Sequence, residues 1–392
     1  MLTKIIKLLI NLLVIILLID PADLIFHLKV PLFLLVFTFW IFLKTKYPIK
    51  FTNDFFFICV IFIFIPFIGI SFALIQQNLD DYTFAVGFIK SAVTIFLIMI
   101  LYDLKINLSY SLFKFSLLIP IIIIPIYVSL LIDSNLIIQI NEYVKSKDIA
   151  KFSRRNFYGY EIIMLYYRTS PLLVFPLAFY MNAFLYGKKK KISFIFSGIF
   201  LFTLILSGTR ANMLAGVTII VFCLFSYLIK KKNKFPLVFM TLISIYIIIT
   251  FIRTLSFKQT DESSHIKSEH LNSYISLFEQ NPHYLLFGSG LGSKFYSSGN
   301  GYYVSQTELT YLDLIRWFGI PITLIFLLLI LYPVIYLSSN KLINNKNSNL
   351  IIAYFSYLFI AGTNPLLVSS TGMLAIITMY SSVAICKREV EN

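Results

Sequence analysis

Apolar residues along the chain fall in runs that approach the ~20 residues a bilayer core demands. They lie at about 5–19, 30–43, 55–75, 82–101, 112–132, 171–186, 192–206, 211–229, 235–252, 317–337, 350–366 and 368–385. The pattern predicts an all-α, polytopic transmembrane helix bundle of about 12 spans, with 361–368 as a tight turn between the last two. Two long polar stretches interrupt it and divide the chain. Spans 1–5 occupy residues 1–132, a first outer loop 133–170, spans 6–9 residues 171–252, a second outer loop 253–316, and spans 10–12 with the tail 317–392. Loops of this length are functional or disordered, and their Tyr and Phe content argues against disorder, so both are expected to fold as partly helical caps.

Composition agrees. Charged residues make up 13% and hydrophobic ones 58% of the 392, against about a quarter charged in soluble domains, and only lipid solvates that much apolar surface. Cys59, Cys223 and Cys386 show no CxxC or Cys/His spacing, so neither a disulfide nor a zinc site is expected. Lys4 and Lys7 precede the first apolar run as in a signal peptide, but the run ends at Asp20-Pro21 without a small-x-small cleavage site and is read as a retained span.

The net charge of +15 resides largely in lysine tracts between apolar runs, where the positive-inside rule accounts for it without nucleic acid. With the N-terminus inside, Lys4/Lys7, Lys44/Lys46/Lys50, Lys105/Lys114, Lys188 to Lys191, Lys230 to Lys232, Lys234, Lys341/Lys346 and Lys387/Arg388 face the cytoplasm. That is 19 of the 33 basic residues, with only Asp54, Asp103, Glu389 and Glu391 as acidic company. Both termini are therefore expected to be cytoplasmic.

Arginine is distributed the other way. Arg154, Arg155, Arg168, Arg210, Arg253 and Arg316 lie in or beside outer loops, and only Arg388 lies inside. Insertion bias is satisfied by lysine. Arginine's planar fork grips phosphate bidentately, which points to an anionic ligand at the outer surface. In Ser207-Gly208-Thr209-Arg210, Ser207 or Thr209 is placed to cap the next helix, whose amides then point outward beside Arg210 as a phosphate seat. The alternative is a tight turn with Arg210 snorkelling to headgroups.

The segment SGTRANMLAG resembles the Ser-x-(Ser/Thr)-Arg-(Gly/Ala) signature of the O-antigen polymerase and O-antigen ligase membrane glycosyltransferases. A second similarity is NPHYLLFGSGLGS followed by ELTYLDLIRWFGI. Ligases of that group show His-Asn-x-Tyr-Leu-x-x-Leu-x-x-x-Gly where the large outer loop re-enters the membrane. Tyr311, Leu312, Ile315 and Gly319 fit, while Glu308 stands in place of the His and Leu309 in place of the Asn. The departure favours polymerase. The resemblance implies a metal-independent hexosyltransferase in the bacterial inner membrane, without cofactor. Its donor and acceptor would be undecaprenyl-diphosphate-linked oligosaccharides at the periplasmic face, among membrane lipid and with a chain-length regulator protein as possible partner.

The chemistry of the residues agrees. Moving a glycan off a lipid diphosphate requires neutralising the leaving diphosphate and taking a proton from the attacking hydroxyl. Arg210, with Arg154, Arg155 or Arg253, are candidates for the first. Glu308 is the candidate base, its alternative a carboxylate favoured by the helix dipole. Asp313 lies about 140° around an ideal helix from it and is no substitute, so neutralising Asp313 is expected to be mild. Lys90, about 12 Å into its span by helical rise, reaches either the diphosphate, a headgroup, or Asp80/Asp81. Arg316 is expected to pair with Asp313 three residues earlier, His283 to be structural, and GSGLG to be a turn and not a nucleotide loop. Tyr311 and Arg316 complete the candidate set.

Rival functions are the ligase, which transfers glycan to lipid A-core, and a lipid-linked oligosaccharide flippase. A transporter would show repeat symmetry and charges through several spans, whereas here charge gathers in two outer loops. Reporter fusions near Ser146 and Ser268 should read as outside and one near Lys190 as cytoplasmic; a cytoplasmic signal at Ser268 would dismantle the site.

Overall fold

The computed structural model describes residues 1–45, 53–132, 136–157, 160–231, 262–340, 342 and 345–391. The apolar run at 235–252 and Arg253 lie outside the described residues. Among the described residues, seven helices are long and apolar enough to cross a membrane: Leu2–Ile19, Asp54–Ile75, Tyr82–Leu104, Leu108–Ile132, Arg210–Lys230, Thr310–Ser339 and Ser370–Lys387. The chain is a membrane-embedded helical protein. The remaining described runs are helical too, over Lys29–Lys44, Ser170–Tyr186, Lys190–Leu206 and Asn345–Gly362.

The helices are designated α1 (Leu2–Ile19), α2 (Lys29–Lys44), α3 (Asn53–Ile75), α4 (Tyr82–Val93), α5 (Leu97–Leu104), α6 (Leu108–Phe115), α7 (Leu118–Ile132), α8 (Leu136–Ser146), α9 (Val174–Tyr186), α10 (Lys190–Leu206) and α11 (Arg210–Lys230). After the undescribed segment come α12 (Glu262–Gln280), α13 (Tyr284–Phe287), α14 (Thr310–Ser339), α15 (Asn345–Gly362) and α16 (Ser370–Glu391). Local chemistry sets several boundaries. The Asp81 carboxylate accepts from Phe84 N at 3.0 Å and caps α4, and Asn107 accepts from Ser109 N at 3.0 Å to start α6. At the end of α1 the fully buried Asp20 carboxylate accepts from the amides of Leu24, Ile25 and Phe26 at 2.8–3.1 Å and folds the connection to α2.

One end of the bundle is tied by lysines. Lys44 pairs with Asp103 at 2.6 Å, where Trp40 Nε1 also donates, and Lys387 pairs with Asp54 at 2.5 Å. The other end carries the cap. The fold is all-helical as expected, with two short antiparallel hairpins added in the cap: β1 (Ala150–Phe157) with β2 (Tyr160–Tyr167), and β3 (Phe295–Ser297) with β4 (Tyr302–Val304). The sequence held both signals. YEIIMLYY is rich in β-branched and aromatic residues, and Asn300-Gly301 between tyrosines marks a hairpin turn, closed by Asn300 N and Gly301 N on Ser297 O. The first hairpin is fastened to α1, with Tyr167 Oη donating to Ile19 O and Thr169 Oγ1 to Leu18 O.

α14 is two helices in one run. Gly319 has φ 72° and ψ 170°, which breaks it after Phe318. Pro321 has no N–H to give the carbonyl of Trp317, and the break removes the donor for Arg316 O. Both carbonyls are filled from the glycine-rich loop, by Gly290 N at 3.2 Å and Ser289 N at 2.6 Å. The same loop is clamped to α3, where Leu291 N donates to Gly69 O, and to the α3–α4 turn, where Asp81 N donates to Gly292 O, Gln76 Nε2 to Gly288 O and Lys294 N to the Asp80 carboxylate. GSGLG is thus a turn, as expected, and its shape follows from what it must touch.

At Gly290 the backbone has φ 91° and a Cβ would overlap the backbone of Ala73, whereas at Gly301, φ 73°, a Cβ would meet nothing. Gly290→Ala should therefore cost about 3 kcal/mol or more and Gly301→Ala only about 1–2 kcal/mol, read by unfolding the detergent-solubilised protein. Equal losses at the two positions would mean that the loop does not pack on α3.

Candidate functional site

Two motifs and a hairpin meet at the cap end. The first motif is the turn between α10 and α11. Gly208 takes φ 64°, and a Cβ there would run into the Met164 side chain of β2, so the turn and the hairpin pack backbone to side chain. Thr209 caps α11 by accepting from Asn212 N at 3.4 Å. Arg210 is the first residue of that helix, half-buried, and adds its charge to the positive end of the helix. Asn212, fully buried, donates through Nδ2 to Ser207 Oγ at 2.9 Å and Ser170 Oγ at 3.2 Å. It holds the turn against the short 3-10 helix Ser170–Leu173 that leads into α9.

The second motif is the approach to α14. Glu308 lies before the first helical residue, Thr310, and not within the helix. The 140° separation from Asp313 on an ideal wheel therefore does not apply. Glu308 pairs with Lys267 of α12 at 3.5 Å, the side chains 44% and 35% exposed. Its charge acts on Tyr166 of β2 and on His270 of α12. Burial pushes the Tyr166 phenol up from its ordinary value, and Glu308 adds to the shift. Burial holds His270 below the usual imidazole range, against the pull of Glu308 and Asp313. His270 Nδ1 is 2.5 Å from Ser297 Oγ, which fixes α12 to the second hairpin.

The first hairpin links the motifs. Met164, which packs on Gly208, and Tyr166, which senses Glu308, are two residues apart on β2, on one face and about 7 Å apart along the strand. The structure thus brings the turn that bears Arg210 and the Glu308 segment to one end of the bundle, beside the same face of one strand.

The other candidates separate. Arg154 is exposed on β1 opposite Ile163, and Arg155 pairs Ile162 in the ladder, its side chain lying outside the described atoms, as does all of Arg253. Lys90 is exposed in the last turn of α4. The Asp80 and Asp81 carboxylates serve other donors, namely Lys294 N, Phe84 N, Thr83 Oγ1 and Ser305 Oγ. The charge of Lys90 acts instead on Lys29, whose Nζ bonds Pro21 O and Ser370 Oγ. His283 is exposed at the start of α13, its ring 4.5 Å from that of Tyr284. Tyr311 Oη donates to Leu358 O at 2.9 Å and ties α14 to α15.

Arg316 is withdrawn from any ligand. Fully buried, it pairs with Asp313 at 3.1 Å, donates to Ser293 O at 2.9 Å, Ser293 Oγ at 3.0 Å and Ser305 O at 2.6 Å, and lies over the Phe295 ring at 4.6 Å. Asp313 accepts in addition from Tyr274 Oη at 2.6 Å and Thr307 N at 2.7 Å. The expected pair has formed, but as the centre of the second cap. The expectation that neutralising Asp313 would be mild gives way, because an uncompensated buried guanidinium would remain.

Among the described residues no group of three or more His, Cys, Asp or Glu is placed to hold a metal ion. Comparisons with protein families, with curated proteins and with solved structures returned no match. Sequence reasoning missed Asn212, Ser170, Tyr166 and Lys267. Asn212, a lone amide at the head of an apolar run, was the one with a visible signal.

Breaking a buried ion pair costs about 3–5 kcal/mol, and a surface pair about 0–1 kcal/mol. Asp313→Asn should accordingly unfold the cap well below the wild-type melting temperature, while Lys267→Met leaves that temperature nearly unchanged. Similar melting of the two variants would remove Asp313 from the centre of the cap.

Proposed function

We propose that the protein is a surface-polysaccharide polymerase of the O-antigen type, joining undecaprenyl-diphosphate-linked repeat units at the periplasmic face of the bacterial inner membrane. Supporting this is one arrangement above all: a capped helix N-terminus bearing Arg210 and a half-exposed carboxylate, Glu308, lie by the same strand at the end of the bundle away from the lysines. The twelve-span topology with both termini cytoplasmic belongs to the same proposal and puts that end outside.

In this mechanism the α11 amides and Arg210 receive the donor's diphosphate. The acceptor hydroxyl oxygen attacks the anomeric carbon as the carbon–oxygen bond to diphosphate breaks. The bonding pair leaves with the diphosphate, its charge met by the guanidinium and the helix end. Glu308 takes the hydroxyl proton. A single displacement inverts the anomeric carbon. The ion pair with Lys267 orients the carboxylate until the hydroxyl arrives. Glutamate, where the ligases carry His, favours polymerase over ligase.

The test uses purified protein and a defined lipid-linked repeat unit, following the rate of dimer formation. Glu308→Gln keeps size and one acceptor oxygen but loses basicity, and should lower turnover by ~10²–10⁴ with donor affinity intact. Arg210→Lys keeps charge but loses the fork, and should weaken both donor binding and turnover at normal protein level. Near-normal dimer formation by both variants would sink the proposal.

A further inference from the structure

Residues 284–292, α13 and the glycine-rich loop after it, carry no charge and are bracketed by the exposed His283 and Lys294. A loop in water can leave its amides to the solvent. Here the eight consecutive amides of residues 284–291 all donate to carbonyls of the protein, at 2.6–3.2 Å. The carbonyls of Gly288, Gly290 and Gly292 accept from Gln76 Nε2, Ser293 Oγ and Asp81 N, and the Ser289 and Ser293 hydroxyls meet at 2.7 Å. Irregular backbone persists at membrane depth only where the protein closes its polar groups in this way.

The level of the segment is read from α3. Leu291 N bonds Gly69 O, and a Cβ on Gly69 would meet Leu291 Cβ at 2.9 Å. The polar turn after α3 opens only at Gln76, seven residues beyond Gly69, or about 10 Å farther along the helix. In between, Leu74 and Ile75 are exposed, and the exposed Ser71 turns its hydroxyl back to Phe67 O. α14 gives the same level. A Cβ on Gly319 would collide with Leu286 O, so α13 lies against the break. From Ile320 onward, through Leu324, Ile325 and Leu328, α14 exposes an apolar face. Leu286 and Phe287, 58% and 55% exposed, adjoin that face.

We propose that residues 284–292 form a re-entrant turn whose Leu286 and Phe287 sit among the acyl chains of the leaflet at the cap end. An interfacial helix buries its apolar face about 5–10 Å into that boundary, which matches the depth of Gly69 below Gln76. The Tyr284 hydroxyl, 3.4 Å from Asn78 Nδ2, reaches back to the polar turn. The floor of the cap is then lipid, while His283 and Lys294 mark the headgroups. This inference rests on the membrane-embedded fold and not on the polymerase reading.

Nitroxide labels on introduced cysteines test it in the full chain, reconstituted in phospholipid vesicles. Cys386→Ser clears the background, since Cys59 and Cys223 are buried. Collisions are measured with oxygen, which concentrates among acyl chains, and with a water-soluble nickel chelate. Leu286→Cys and Phe287→Cys replace exposed side chains and should keep the fold. Their oxygen-to-nickel collision ratio should match that of Leu324→Cys on the lipid face of α14 and exceed several-fold that of Ser276→Cys, exposed on α12. A ratio equal to that of Ser276→Cys would overturn the turn's place in lipid, returning it to water. Low collision with both reagents would overturn it as well, because a protein surface would then cover α13.

Discussion

A backbone that runs through lipid has no water to bond, so every freed carbonyl must find a donor within the protein. At the top of α14 that requirement shapes half the cap. Pro321 and the break at Gly319 leave the carbonyls of Arg316 and Trp317 open, and the amides of Ser289 and Gly290 close them. To deliver two consecutive amides there, the loop must pass between α14 and α3 as bare backbone. Hence its glycines, and hence the position of the residues that follow them. Ser293 and Ser305 land where their carbonyls meet Arg316, and Glu308 emerges at the rim.

The buried Asp313–Arg316 pair fixes this arrangement more than it stabilises it. Desolvating two charges consumes most of what their attraction returns, and an apolar pair of similar volume is often as stable. A guanidinium with two donors on loop carbonyls and one on a carboxylate, however, accepts only one arrangement of that loop. Tyr274 brings α12 into the same network, and with it Lys267, the partner of Glu308. The immobile ion pair thus sets the exposed one.

The apolar runs announced the helices because lipid demands continuous apolarity, and lysine placement distinguished the two ends. Arg210 and its capped helix were legible because the capping residue, the turn and the arginine are adjacent in sequence. The Asp313–Arg316 pair was legible from its i, i+3 spacing, but its meaning was not, since its partners Tyr274, Ser293 and Ser305 come from elements that only the fold assembles. The β1–β2 hairpin was missed because long apolar helices dominate the pattern and made YEIIMLYY read as loop.

Glu308 and Asp313 show how burial divides two carboxylates five residues apart. Each has a basic partner, Lys267 at 3.5 Å and Arg316 at 3.1 Å. Asp313 has no exposed surface and is engaged by a phenol, an amide and a guanidinium, so nothing from outside reaches it without dismantling the cap. Glu308 holds one loose partner and keeps nearly half its surface open. The same contrast in burial separates Arg316 from Arg210: one has no exposed surface, the other stands half-buried as the first residue of α11. Of these four charged groups, Asp313 and Arg316 hold the cap together, while Glu308 and Arg210 keep exposed surface.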